Sequence, residues 1–79
     1  KTYLSYDIDF IDPAFAPGTG TPEVGGPNSF QALDVVRKLN SLNLIGADVV
    51  EISPPFDPSG GTAFLGSSIL FEILCIMVK

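Results

Sequence analysis

Leu44-Ile45-Gly46-Ala47-Asp48-Val49-Val50-Glu51-Ile52 decides the fold. A strand with one wet face alternates apolar and polar residues. This run is nearly continuous in apolar residues, interrupted only by Gly46, Asp48 and Glu51, as in strands buried on both faces of a parallel sheet. A parallel neighbour is reached only by a long crossover. Tyr3 to Phe10, rich in aromatic and β-branched residues, predicts that neighbouring strand. Between the two lies a proline- and glycine-rich stretch, Asp12 to Asn28, which predicts a long ordered loop. A helix follows it, with Phe30, Leu33, Val36, Arg37 and Asn40 at helical spacing and Leu39 and Leu42 extending the apolar side. Asn28 or Ser29 caps this helix, Gln31 completes a capping box, and the end is expected near Asn43. Beyond the decisive run, Ser53 to Gly61 predicts a second loop. Thr62 is the expected cap of a last helix that reaches about Val78. That helix is apolar nearly all round, so something must cover it. The order strand, helix, strand, helix predicts an α/β segment with a right-handed parallel crossover. Two strands alone would leave bare edges and faces, so the sheet is expected to continue in further chain.

Composition narrows the function. The chain has 79 residues, 46% apolar and 16% charged, which excludes a disordered tail and allows one small domain at most. So little charge on so small a body suggests a piece of something larger. Four basic residues stand against nine acidic ones, a net charge of −5. That excludes a nucleic-acid binder, which must neutralise phosphates, and argues against anionic membrane surfaces. There is no histidine, so this chain alone completes no site that needs imidazole. One cysteine, Cys75, provides no disulfide framework. The apolar run from Ala63 to Val78 contains Glu72 and falls short of the roughly 20 residues a bilayer span needs, so a buried helix is expected. No signal peptide is expected from the opening residues.

Ligands of open α/β sheets gather outside the carboxyl ends of the strands. Asp7 and Asp9 lie at the end of the first predicted strand. Residues two apart on a strand project to one side, about 6–7 Å from each other. Carboxylates held that close repel unless a cation sits between them, and manganese or magnesium suits their hard oxygens. The alternative is that one caps the loop and the other is solvated. Asp12, followed by Pro13, predicts turn chemistry. Glu51 ends the second predicted strand, where burial would be costly without a partner. A salt bridge and a ligand contact are equally compatible with it. The glycine-rich Gly18 to Glu23 lacks the spacing and lysine of a phosphate loop, and no serine or cysteine has a histidine partner.

Read together, the pieces resemble a known family. Ser5-Tyr6-Asp7-Ile8-Asp9-Phe10-Ile11-Asp12-Pro13-Ala14-Phe15-Ala16-Pro17-Gly18-Thr19-Gly20-Thr21-Pro22-Glu23 is similar to the signature of the ureohydrolases, the arginase and agmatinase family. Gly46-Ala47-Asp48-Val49-Val50-Glu51-Ile52-Ser53-Pro54-Pro55-Phe56-Asp57 resembles the family's last substrate-pocket strand. Glu23 and the Ser-Pro-Pro-Phe-Asp run look more like agmatinase than arginase. The resemblance implies a three-layer αβα sandwich with a parallel sheet, and a binuclear manganese site. Residues 1–79 would be the C-terminal part of that single domain, a quarter to a third of the enzyme. Asp7 matches the carboxylate that bridges both metals, and Asp9 one that binds the second metal. Glu51 matches the acid that holds the substrate guanidinium, and Thr21 a threonine beside that pocket. The remaining ligands, in a Gly-Asp-His and an Asp-x-His-x-Asp, and a proton-shuttling histidine belong to upstream motifs. The expected function is manganese-dependent hydrolysis of agmatine to putrescine and urea. Guanidinobutyrate and arginine stay open, because upstream loops recognise the far end of the substrate. The segment is expected to be inactive alone and the full-length enzyme to be a homo-oligomer. No residue names a compartment, and the cytoplasm or the mitochondrion is the expectation. A non-catalytic remnant and a cation-binding or docking module are the alternatives. Gly66 departs from the family pattern, and in a helix interior it costs about 1 kcal/mol relative to alanine.

Overall fold

The computed structural model describes residues 1–78. Strand β1 (Thr2–Asp7) is followed by a 3-10 turn (Ile8–Phe10), helix α1 (Ser29–Arg37), strand β2 (Leu44–Val50), a second 3-10 turn (Pro54–Phe56) and helix α2 (Gly61–Met77). The strands pair directly and in parallel, with Leu4 opposite Ala47, Tyr6 opposite Val49 and Asp7 opposite Val50. The expected α/β order is therefore present, and the strand ends that carry the candidate residues lie side by side.

Period two sorts β1. Leu4, Tyr6 and Ile8 turn to the core, and Tyr3, Ser5 and Asp7 turn away. Ile8, Ala32, Val36, Ile69 and Ile73 are fully or almost fully buried and join Tyr6, Ile11 and Leu65 in one cluster. Truncating Ile69 or Ile73 to alanine would cost roughly 2–5 kcal/mol in transfer and cavity terms. The Tyr6 hydroxyl donates to the Ala32 carbonyl at 2.9 Å, tying β1 to α1. Arg37 and Glu72 tie α1 to α2, with Nε and Oε1 3.0 Å apart.

The α1 cap matches expectation. The Asn28 side chain accepts from the Gln31 amide at 2.8 Å, and Gln31 Oε1 accepts from the Asn28 amide at 3.0 Å. The long loop is ordered as expected. Asp12 anchors it through the Ala14 and Gly25 amides at 2.9 and 3.0 Å, which hold its carboxyl below the usual carboxylate range.

Four boundaries differ from expectation. β1 stops at Asp7 rather than Phe10, because the Asp7 carboxylate captures the Asp9 amide and turns the chain into the 3-10 turn. α1 stops at Arg37 rather than near Asn43. Leu39 and Leu42 donate three residues back, to Val36 and Leu39, where Asn40 and Ser41 favour turns over helix. β2 stops at Val50, and Leu44 is its one buried residue. Both faces of β2 were expected to be buried, but Tyr3 and Ser5 on the face away from the core meet Asp48 and solvent. The last helix is capped at Gly60, in the left-handed region at φ 80, and not by Thr62. Thr62 and Leu65, Gly66, Ile69, Ile73 and Ile76 form its buried face, while Phe64 (76% exposed) and Phe71 (64%) stand in solvent. Cys75 is exposed. Among the described residues no helix is long and apolar enough to cross a membrane.

Candidate functional site

The site is built at the carboxyl end of β1, where the strand cannot continue. Asp7 is the N-cap of the 3-10 turn, and its Oδ1 accepts the Asp9 amide at 3.0 Å. Asp9 therefore leaves the strand and sits in the 3-10 turn, with its carboxylate still close to that of Asp7. The turn links the two residues through the Asp9 backbone. The loop after Ile11 then returns, and the Thr21 hydroxyl donates to Asp9 Oδ2 at 2.7 Å. Three of the four candidate residues, Asp7, Asp9 and Thr21, thus form one hydrogen-bonded chain.

The electrostatics follow from this crowding. The Asp7 carboxyl is shifted upward, first by partial loss of surrounding water and then by the neighbouring Asp9 carboxylate, while the Asp9 amide opposes the shift. A nearby cation would relieve that repulsion, and two carboxylates with a hydroxyl form an all-oxygen donor set suited to manganese or magnesium. Among the described residues, no group of three or more histidine, cysteine, aspartate or glutamate side chains converges on a metal position. Asp7 and Asp9 are two neighbouring carboxylates, fewer than such a group requires. Beside them, Ser5, Tyr6, Asp7, Phe10 and Val35 line a cavity of about 290 Å³.

Glu51, the fourth candidate, follows Val50, the residue opposite Asp7. It is exposed rather than buried, so the burial cost expected from its apolar neighbours is not incurred. It forms no ion pair among the described residues, so the salt-bridge alternative finds no support in this chain. Its backbone is strained, because among the described residues it is the one non-glycine residue at positive φ, at 70°. Such conformations cost on the order of 1–3 kcal/mol and cluster at binding and catalytic sites.

Sequence reasoning missed Asp57. It is buried, its Oδ2 accepts from the Thr62 amide at 2.8 Å and the Thr62 hydroxyl at 2.6 Å, and its Oδ1 accepts from the Ser59 hydroxyl at 2.5 Å. Those donors hold its carboxyl down at about 2. The signal was available in Asp57, Ser59 and Thr62, an acid with two hydroxyl residues just ahead of a helix. Gly60 holds the N-cap position, and the Asp57 carboxylate accepts the Thr62 amide of the first turn, so Thr62 is held by the acid and is not itself the cap.

The arginase family model matches residues 1–76. The chain belongs to the arginase family. Guanidinopropionase of Pseudomonas aeruginosa is 59% identical over 99% of the chain and 24% of that relative. Guanidinobutyrase of the same organism is 56% identical over 95% of the chain and 24% of that relative. A solved structure described as a hypothetical agmatinase from Burkholderia thailandensis superposes with a TM-score of 0.91 at 55% identity, covering 95% of the chain and 24% of that structure. The chain thus spans about a quarter of the length of these relatives. The arginase-like α/β fold expected from the sequence is the fold of its structural neighbours.

Proposed function

We propose that this arginase-family segment serves a manganese-dependent amidinohydrolase that cleaves the guanidinium of a linear cationic substrate, with agmatine giving putrescine and urea. The observation that carries the reading is the linked set Asp7, Asp9 and Thr21 beside the strained Glu51, all at the carboxyl ends of two parallel strands. Asp7 and Asp9 would hold manganese. The chemistry such ions supply when bound is activation of water near neutral pH. Thr21 fixes the orientation of the Asp9 carboxylate by donating to one of its oxygens. Glu51 faces the guanidinium, whose fork of N–H donors a carboxylate accepts in pairs. A net charge of −5 favours the approach of a cation. In the balanced reaction the oxygen of water bonds to the guanidinium carbon, the carbon–nitrogen bond to the tail breaks, and the amine leaves with a proton. No residue of this chain is assigned that proton transfer. Two carboxylates do not complete a binuclear site, so residues 1–79 are expected to release no urea alone.

A second reading has the same reaction on a substrate with an acidic tail. It is favoured by the names of the relatives described above, which are a guanidinopropionase and a guanidinobutyrase. Urea release in the presence of manganese, measured on the protein that carries this segment with agmatine, guanidinobutyrate and guanidinopropionate, separates the two. Turnover of agmatine in preference to the acids supports the first. Turnover of the acids alone supports the second. No urea from any of the three refutes both.

A further inference from the structure

The geometry points to Asp57 as a positioning residue that, through Thr62 and Gly18, holds the loop bearing Thr21 against the Asp9 carboxylate. The inference rests on reading Asp9 as a metal ligand. The argument begins with hydrogen-bond polarity. An ionised carboxylate only accepts, so the single hydroxyl proton of Thr62 is committed to Asp57 Oδ2 at 2.6 Å. The lone pairs of Thr62 Oγ1 are then left for the Gly18 amide, which donates to it at 2.9 Å. The Gly18 carbonyl accepts the Ser53 amide at 2.6 Å, so Gly18 is gripped on both sides. The fit leaves no room for a side chain, because a Cβ on Gly18 would stand 2.8 Å from Thr62 Cβ and 3.0 Å from Asp57 Cβ. Thr19, next in the chain, is buried, and Thr21 then reaches Asp9 at 2.7 Å. The loop that follows β1 is therefore fastened to the loop that follows β2 at Gly18, just before it delivers its hydroxyl to the candidate metal site. Asp57 touches neither carboxylate of that site and acts only through this connection.

The test separates positioning from helix capping. Thr62→Val keeps the amide that Asp57 caps and removes the hydroxyl that reaches Gly18, whereas Thr62→Ser keeps both. Amide hydrogen exchange of the protein that carries this segment is the first readout, with Tyr3 to Tyr6 as internal reference for global opening. In Thr62→Val, exchange at Gly18 and Thr19, whose amides are bonded to Thr62 and Pro17, is expected to quicken, at Gly18 roughly ten-fold, the scale of one lost hydrogen bond. Exchange at Thr62 to Leu65 is expected to stay as it was, and Thr62→Ser to behave as wild type. Should Thr62→Val fail to fold, Asp57→Asn is read at the same amides and is expected to quicken both stretches. Unaltered exchange at Gly18 and Thr19 in the readable variant overturns the inference. The second readout is manganese-dependent urea release by the protein carrying the segment. There Thr62→Val is expected to lower kcat at unchanged KM, with recovery in Thr62→Ser. Wild-type protein that releases no urea refutes the proposed function, while the exchange data still decide the positioning role.

Discussion

Replacing Glu51 with glycine should make the protein more stable and its proposed site useless. The left-handed backbone at φ 70 costs an ordinary L-residue roughly 1–2 kcal/mol, because Cβ crowds the following carbonyl. Glycine escapes that cost but loses about 0.5–1 kcal/mol to the greater freedom of its unfolded chain. Glu51 is exposed and has no ion pair to lose among the described residues, so the difference is nearly all that remains. Glu51→Gly should therefore gain about 0.5–1 kcal/mol, read as a raised urea midpoint at unchanged slope. Glu51→Ala is the control, since it removes the carboxylate and keeps Cβ, and should gain nothing. Both variants should lose binding of a guanidino substrate, because each removes the acceptor for its paired donors. A midpoint for Glu51→Gly at or below wild type would show that the backbone stores no strain there. Equal gains for glycine and alanine would assign the effect to the charge. Undiminished guanidino binding in either variant would remove Glu51 from the site.

The other predictions concern the framework. Asp57 sits at about 2 against an ordinary 3.8, so its contribution is complete above pH 4 and is lost as pH falls toward 2. Asp57→Asn should flatten the acid limb of stability between those values, followed by urea midpoints at a series of pH values. Tyr6 is pushed up to about 12 by burial, from 10.0, so the neutral phenol contributes fully below pH 10 and is lost as pH rises through 12. Tyr6→Phe should cost about 1 kcal/mol at neutral pH, through the lost bond to Ala32, and should remove that alkaline loss. A Cβ on Gly66 would run into Ile52 Cδ1, so Gly66→Ala should not deliver the helix-propensity gain of about 1 kcal/mol on its own. In an Ile52→Val background, which deletes that methyl, the same substitution should stabilise, and a double-mutant cycle measures the difference.

Periodicity made the architecture legible. The apolar run from Leu44, the helical spacing from Phe30 to Val36 and the Asn28–Gln31 box all correspond to observed elements, because packing and capping obey short-range rules. Apolar excess was legible too. The all-round apolar character of α2 corresponds to one buried face and to Phe64 and Phe71 standing exposed on the other. The ends of the elements were not legible from periodicity. β1 ends where a side chain outbids the sheet for a backbone amide, at Asp7, and β2 gives way to a residue that leaves β space, Glu51. Neither event has a period. Both fall on carboxylates singled out for chemistry, and this coincidence has a physical basis. Asp48, inside the ladder, is engaged by the Tyr3 and Ser5 hydroxyls, whereas Asp7 and Glu51 stand where the ladder ends. A turn at Asp7, a left-handed residue at Glu51 and a loop fastened from elsewhere present these groups at the sheet's edge. Asp57 illustrates the third route, acting on Thr21 from far along the chain through Thr62 and Gly18. Local rules are broken here where the proposed function requires exposure, so the errors in reading the strand ends mark the same residues as the candidate site.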